Sequence, residues 1–318
     1  YKRYPERTRD LDGYITHLPE IKPVEIFDRQ YGKNDPNYMF PDKYLPFIKG
    51  NLPYDQIDKA YKGYKYSINL NSLKQAQSLA RRVYELMACN TLVISNFSRG
   101  VHSQMGELTI LSDSAKEIIR RITELEAEPC GADKLRLAAL RKVMLESTYQ
   151  DRLAYIAAKV CGVKVPVLLP AVYVVARVET QEQAEAVWGS YARQSYAEKQ
   201  LLLISDTVCG TFCKGQGVRV LSAVEASAAL AELPEQAWLA CFAPEDYYGS
   251  NYLMDIMLAA RYGTTQVIGK TCFSSFADNK TVVLHHEGTS YTEAEQSMPA
   301  RRAAAKIALL KQEGWTFQ

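Results

Sequence analysis

Residues 71–96 combine cations, small polar side chains and a carboxylate at helical spacing, in the segment N-S-L-K-Q-A-Q-S-L-A-R-R-V-Y-E-L-M-A-C-N-T-L-V-I-S-N. The pattern predicts a helix followed by a short buried strand. The free N–H groups and the dipole at a helix N-terminus suit a diphosphate. We therefore expect Asn71, Lys74 and Ser78 at that terminus to contact phosphate, with Lys74 and Arg82 adding charge-assisted hydrogen bonds.

Glu85 gives the same segment a second chemical function. It lies three residues after Arg82, on nearly the same helical face. A carboxylate there can accept two hydrogen bonds from a ribose diol, as in dinucleotide sites. The alternative is a surface ion pair between Arg81 and Glu85 at i,i+4 spacing, and spacing alone favours that ion pair.

Strands and helices alternate along most of the chain, which predicts an α/β protein with parallel, Rossmann-like sheets. The alternation pauses near residues 160–171 and then restarts. With 318 residues the chain is long enough for two domains, which we place at residues 1–162 and 163–318. No G-x-G-x-x-G follows any predicted strand, so a Rossmann oxidoreductase is disfavoured.

Composition excludes several protein classes. The chain is 47% hydrophobic and 23% charged with a net charge of +2, which argues against a nucleic-acid partner. No apolar run approaches the length of a membrane span. Seven irregularly spaced cysteines predict reduced, buried thiols in a cytoplasmic protein. Cys209 and Cys213 are a weaker alternative, as a disulfide or a metal-binding pair.

The order of residues in the first domain resembles a known family pattern, R-x-F-E-x-x-A-C-G-T-P-x-x-S. The matching positions are Arg82, Val83, Tyr84, Glu85, Ala88, Cys89, Thr91 and Ser95. Over residues 24–155 the chain resembles the donor-binding, C-terminal half of GT-B glycosyltransferases, in particular a spore-maturation-type branch related to families 1 and 4. The resemblance implies that Glu85 holds the nucleotide ribose and that Arg29 contacts phosphate. It also implies that an acceptor-binding domain precedes Tyr1.

Two departures from the family pattern stand in this segment. The family's Gly-Thr-Pro is Asn90-Thr91-Leu92 here, and the first acid of the wider E-x7-E signature is Gln77. The residue that contacts the sugar or diphosphate in the family is therefore not acidic in this chain.

Residues 172–275 resemble a second type of domain, the GT-A fold of family-2 glycosyltransferases. The resemblance implies that Asp206, at a strand end, contacts the nucleotide base. It also implies that Glu245 and Asp246 replace the metal-binding D-x-D as catalytic and metal-ligating residues, with Mn²⁺ or Mg²⁺ as the cation. The leading Asp of that motif is absent from the loop A-P-E-D.

Two further groups in the second domain have polar or charged side chains. His285 and His286 lie at a predicted strand end and are read as a polar end before a turn, with a ligand or base role as the alternative. Arg301 and Arg302 are read as a solvated basic face, with a patch for an anionic acceptor or a lipid phosphate as the alternative.

Together, the two resemblances imply a bacterial glycosyltransferase of cell-surface or spore polysaccharide synthesis. It would move a sugar from a nucleoside diphosphate sugar to a hydroxyl on a glycan or lipid-linked acceptor, in the cytoplasm or peripherally at the inner membrane face. The alternative is a non-catalytic scaffold or carbohydrate-binding protein built from degenerate glycosyltransferase domains. The incomplete D-x-D motif and the replacement of an acid by Gln77 favour the scaffold, whereas the intact Arg82–Glu85 segment favours the enzyme.

Overall fold

A computed structural model describes residues 4–33, 35–77, 79–207, 217–277, 281–286 and 297–315. The chain divides into two compact units, residues 1–164 and 165–318. Both units combine α-helices with parallel strands, consistent with the expected Rossmann-like α/β class. Within the described residues, no helix has both the length and the apolar character needed to cross a bilayer.

The first unit is built on short parallel strands. These are β1 (Ile26–Phe27), β2 (Ile48–Gly50), β3 (Tyr66–Asn69), β4 (Leu92–Ser95) and β5 (Ile110–Leu111). β3, β4 and β5 pair in that order, and β1 pairs separately with β2. The helices are α1 (Pro5–His17), α2 (Ile57–Gly63), α3 (Arg81–Ala88), α4 (Arg99–Met105), α5 (Ala115–Ala127), α6 (Gly131–Glu146) and α7 (Tyr149–Ile156).

Helices cover both faces of the β3–β4–β5 sheet. Val93 of β4 packs in one apolar cluster with side chains of α3, α4 and α6. Ile94, the next residue, packs in another cluster with side chains of α1 and α5. Successive side chains of a strand point to opposite faces, so a continuous apolar run is what a doubly covered strand requires.

The second unit holds a mixed sheet of six strands among its described residues, in the order β10-β13-β9-β6-β7-β8. β6, β7, β8 and β9 are parallel to one another, whereas β13 is antiparallel to β9 and to β10. The strands of the sheet are β6 (Val172–Arg177), β7 (Lys199–Ile204), β8 (Val218–Leu221), β9 (Trp238–Cys241), β10 (Val267–Gly269) and β13 (Ala303–Lys306).

The remaining elements of this unit cover the sheet or lie beside it. A separate hairpin pairs β11 (Phe273–Ala277) with β12 (Thr281–His285). The helices are α8 (Gln181–Ala192), α9 (Ala223–Glu232), α10 (Tyr252–Tyr262) and α11 (Ile307–Gln312). Alternate residues of β6 face α8 and α10 on one side and α9 and α11 on the other.

Three local expectations from the sequence are wrong. The sequence predicts a last helix from about Pro299 to Glu313, but Ala303–Lys306 forms β13, because this segment pairs between two strands and burial overrides its helix propensity. The sequence also predicts one basic helix from about Ala132 to Ala158, but the segment forms α6 and α7, since Thr148 forms a capping box with Asp151 that starts α7. Not all thiols are buried, because Cys161 is exposed.

Candidate functional site

The described residues between Asn71 and α3 are not helical, so the expectation that a helix begins near Asn71 and Lys74 is wrong. α3 begins at Arg81 rather than near Asn71. The carbonyl of Lys74 accepts a hydrogen bond from Arg99 N at 2.8 Å, and that of Ala76 accepts from Gly100 N at 2.9 Å. These bonds attach the segment to the start of α4 in an irregular conformation. Ser78 lies outside the described residues.

Asn71 is committed to the ends of two strands. Its backbone N–H donates to Asn96 Oδ1 at 2.7 Å, and its Nδ2 donates to Ser95 Oγ at 3.0 Å. Asn69 Nδ2 in turn donates to Asn71 Oδ1 at 3.2 Å. Asn69, Ser95 and Asn96 are buried. The Asn71 side chain therefore satisfies buried polar groups at the carboxyl ends of β3 and β4, which is a structural role.

Lys74 is held between two carboxylates. Its Nζ lies 2.6 Å from Asp113 Oδ2 and 3.2 Å from Asp10 Oδ2, and its side chain is only 16% exposed. Asp10 is buried and also accepts from Asn96 Nδ2 at 2.9 Å. Burial alone lowers the pKa of Lys74, but the hydrogen bonds to Asp113 and Asp10 outweigh it and the net shift is upward. Lys74 is thus a charged partner for a buried acid rather than a ready phosphate ligand.

Arg29, Arg82 and Glu85, by contrast, all line one cavity of about 1250 Å³ in the first unit. Arg29 follows the end of β1, while Arg82 and Glu85 lie on the first two turns of α3. Residues of β3, α1 and α2 form other parts of the wall. Since ligand pockets commonly enclose roughly 300–1,000 Å³, there is room here for a nucleotide together with a sugar.

Glu85 also makes the surface ion pair that spacing favoured. Its Oε1 lies 3.2 Å from Arg81 Nε, whose side chain is 69% exposed. The Tyr61 ring lines the cavity beside Arg82 and Glu85. Burial raises the pKa of Tyr61, Arg82 opposes this shift and Glu85 adds to it, so the hydroxyl stays a donor at neutral pH. Glu85 thus pairs with Arg81 and also lines the cavity, so the ion-pair and ligand interpretations of its carboxylate are compatible.

Aromatic side chains form another part of the cavity wall. Phe27 and Tyr64 meet edge to face with ring centroids 6.1 Å apart, and Tyr54 lies with its ring 5.3 Å from the Arg81 guanidinium carbon. All three line the cavity, and Tyr54 is 68% exposed. Flat apolar rings next to arginines offer a stacking surface for a base or a sugar face.

Asn90 keeps the turn that ends α3 despite the departure from the family's glycine. It has φ +58°, and Thr91 N donates to Leu86 O at 3.0 Å while Asn90 N donates to Met87 O at 3.0 Å. This is a Schellman arrangement, in which Asn is the commonest substitute for Gly. Asn90 in the left-handed conformation therefore ends α3 and leads the chain into β4.

The predicted site residues of the second unit lie at strand ends. Asp206 follows β7, and its Oδ1 accepts from Ala223 N at 3.0 Å, so it helps to cap α9. Glu245 and Asp246 follow β9, and both contact Arg301 Nη1, at 3.3 Å from Glu245 Oε1 and 3.5 Å from Asp246 Oδ1. The expected contact of Asp206 with a base stays a prediction.

Glu245 and Asp246 fit a divalent cation poorly. Mg²⁺ and Mn²⁺ favour several oxygen ligands, and a guanidinium already lies against both carboxylates. In the described part of the chain, no group of three or more His, Cys, Asp or Glu side chains is arranged to hold a metal ion. Cys209 and Cys213, the alternative metal-binding pair, lie outside the described residues.

Sequence reasoning missed the residues that act through tertiary contacts. Asp10 carries no motif, and only the fold brings it to Lys74 and Asn96, which are far from it in sequence. The sequence predicts a solvated face for Arg301, whereas it pairs with two acids 55 and 56 positions away. Tyr61 lies in a tyrosine-rich segment, residues 54–66, and that is the sequence signal that could have found it.

The comparison with protein families concerns the first unit. Residues 24–158 match a family model described as glycosyl transferase-like. The matched region includes Arg29, Arg82 and Glu85, and it supports a glycosyltransferase and general glycosyl transfer. A search of curated proteins finds no match. The first unit of this chain is therefore similar, over most of its length, to a glycosyl transferase-like domain.

Proposed function

We propose that this chain transfers a glycosyl group from a nucleoside diphosphate sugar to a hydroxyl acceptor, in cell-surface or spore polysaccharide synthesis. The observation that carries the proposal is the convergence of Arg29, Arg82 and Glu85 on one large cavity. These three residues, and most of the cavity wall, lie within residues 24–158, which match a glycosyl transferase-like model. The acceptor would be a glycan or a lipid-linked sugar.

The topology of the first unit supports a ligand in this position. β1 pairs with β2 in one parallel sheet, and β3, β4 and β5 pair in that order in another. Asp28 and Arg29 follow β1, Asn69 ends β3, and all three line the cavity. In open α/β sheets, ligands bind outside the carboxyl ends of the strands, which is where these residues lie.

The chemistry of the cavity assigns separate roles to its residues. Glu85 would accept hydrogen bonds from the ribose diol, and the aromatic wall would face the base or the sugar. Arg82 and Arg29 would hold the diphosphate, so that their positive charge stabilises the negative charge that develops on the leaving nucleotide. Lys74 and Asn71 are left out of this site, because their polar atoms are used inside the fold.

The first test is titration calorimetry of the whole chain with UDP, GDP, TDP and CDP, followed by transfer assays with sugars of the nucleotide that binds. We expect Arg82→Ala to weaken binding about tenfold or more, the size of one lost charge-assisted contact. Lys116→Ala is the control, since it removes an equal charge from an exposed position on α5 that does not line the cavity. Equal affinity in both variants would refute the donor site.

A second candidate function is a non-catalytic, glycan-binding scaffold. It is favoured by the internal use of Lys74 and by the ion pairs that occupy Glu245 and Asp246. The same titrations separate the two. Binding of a nucleoside diphosphate with turnover of its sugar supports the enzyme, whereas glycan binding without nucleotide binding supports the scaffold.

A further inference from the structure

The strand order of the second unit reverses at the carboxyl ends of its parallel strands. From β6 the chain moves to β7 and β8 on one side, and then returns to place β9 on the other side of β6. The strand order therefore reverses between β6 and β9, which is where ligands bind in sheets of this kind. Arg177 ends β6, and the loop with Glu245 and Asp246 follows β9.

The antiparallel strand β13 brings Arg301 to the same edge. Its first residue is Ala303, so Arg301 and Arg302 precede it on the side where β9 ends. The Tyr248 hydroxyl donates to Arg301 O at 2.9 Å and accepts from Ala243 N at 3.0 Å. Tyr248 is buried and stacks on Phe242 with ring centroids 3.8 Å apart. This clamp fixes the backbone of Arg301 beside the acidic loop.

The guanidinium of Arg301 retains donors for a ligand. Both of its contacts with acids within the described residues use Nη1, to Glu245 and Asp246. An arginine carries five N–H donors in a planar fork, so the donors of Nε and Nη2 remain for a second partner. Its side chain is 52% exposed, which leaves the fork accessible. Because both carboxylates contact Nη1, they fix the orientation of the guanidinium.

Further positive charge lies next to Arg301. Lys270 N donates to Arg302 O at 2.9 Å, so the residue that follows β10 adjoins this segment. The Arg302 guanidinium lies 3.9 Å from the centre of the Phe273 ring, which holds the side chain against the hairpin. Lys270 Nζ is 3.5 Å from Asp255 Oδ2.

We propose that the loops at this edge of the second unit's sheet bind a phosphate or diphosphate group directly through Arg301, with Arg302 and Lys270 adding charge, and that Arg301 takes the place of a divalent cation. The geometry carries this: a guanidinium already occupies the position between the two acids where a cation would lie. The identification of the ligand as a nucleoside diphosphate rests on the proposed function, whereas the anion site itself does not.

The test uses the full chain carrying Arg82→Ala and Glu85→Ala, so that the proposed nucleotide site of the first unit is silenced, that is, no longer binds the ligand. Inorganic pyrophosphate and UDP are titrated in EDTA and in manganese. We expect binding in EDTA that Arg301→Ala weakens about ten- to a hundredfold, the effect of losing a charge-assisted fork. Arg219→Ala is the matched control, because Arg219 is exposed on β8, at the far edge of the sheet. Arg301→Lys keeps the charge but not the fork and should give an intermediate loss.

Asp246→Asn distinguishes anion binding by Arg301 from metal binding by the acids, because the two predict opposite changes in affinity for pyrophosphate. If Arg301 binds the anion, loss of a competing carboxylate should strengthen pyrophosphate binding about two- to fivefold, the range expected for an exposed ion pair. If the acids bind a metal, affinity should require manganese and disappear in this variant, which would overturn the proposal. Absence of any binding to the silenced chain would also overturn it. Neither result bears on the donor site of the first unit, which the unsilenced chain tests separately.

Discussion

The carboxylate of Glu85 offers the sharpest test of the first unit, because its two roles predict different magnitudes. As a partner of Arg81 it forms a single exposed i,i+4 ion pair, worth about 0.3–0.5 kcal/mol in folding. In a protein of this size that corresponds to about 1–2 °C in Tm. As an acceptor for a ribose diol it makes hydrogen bonds to a charged group, worth about 1.5–3 kcal/mol in binding. That is roughly a tenfold to 150-fold change in Kd.

We therefore expect Glu85→Gln to shift Tm by no more than about 2 °C while Kd for the preferred nucleoside diphosphate rises at least tenfold. The 2′,3′-dideoxy form of the same nucleotide completes a double-mutant cycle. Wild type should bind this analogue about as weakly as the variant binds the parent nucleotide, and the variant should scarcely distinguish the two ligands. Calorimetry provides both constants, and thermal unfolding provides Tm.

Arg81→Gln is the control, since it breaks the same ion pair without removing the carboxylate. If the pair alone matters, Arg81→Gln and Glu85→Gln will weaken binding equally and neither will respond to removal of the diol. That result would refute the ribose assignment. Equal discrimination of the dideoxy analogue by wild type and by Glu85→Gln would do so as well.

The remaining predictions concern stability. Lys74→Met should lower the free energy of unfolding by about 3 kcal/mol, because it removes the nearer and less exposed cation from the buried Asp10 and leaves it with the exposed Arg9 at 3.4 Å. Asp10→Asn in addition should recover part of this loss in denaturant melts, and a loss below about 1 kcal/mol would contradict the role. Glu126 has its pKa lowered from 4.5 to about 2, chiefly by a hydrogen bond from Lys22. A depressed pKa stabilises the fold above about pH 4.5, and this stabilisation is lost as the pH falls toward 2. Glu126→Gln should therefore reduce the loss of the free energy of unfolding between pH 4.5 and 2, and an unchanged loss would contradict this role of Glu126. Asn90→Ala should cost about 1 kcal/mol because φ is +58°, whereas Asn90→Gly should be nearly neutral; equal losses in urea unfolding would show that the left-handed turn is not the cause.

The sequence by itself determined the features that depend on local periodicity and capping. The run L-V-I-S at 92–95 predicts a strand buried on both faces, and β4 is fully buried. Thr180 with Gln183 predicts a capping box, which starts α8. The α3–β4 unit and its Arg82 and Glu85 positions were also predictable, since helical spacing decides which side chains share a face.

Other elements depend on partners that are distant in sequence. The residue types of segment 71–80 favour a helix. Lys74 O and Ala76 O instead accept hydrogen bonds from Arg99 N and Gly100 N, and the described residues of the segment are irregular. The Ala303–Lys306 segment is a strand only because β9 and β10 offer it a place between them. In each case tertiary hydrogen bonds outweigh helix propensities of less than about 1 kcal/mol per residue.

The charged residues show the same division most clearly. Sequence predicts that Lys74, Arg82 and Arg301 are cations, and it predicts which of them lie near acids in the chain. It does not predict that Lys74 faces the buried Asp10, that Arg82 lines a cavity with Arg29, or that Arg301 lies against Glu245. Such pairs form because the strand order brings loops together at one edge of a sheet, and strand order is decided by packing among all the elements rather than by any local segment.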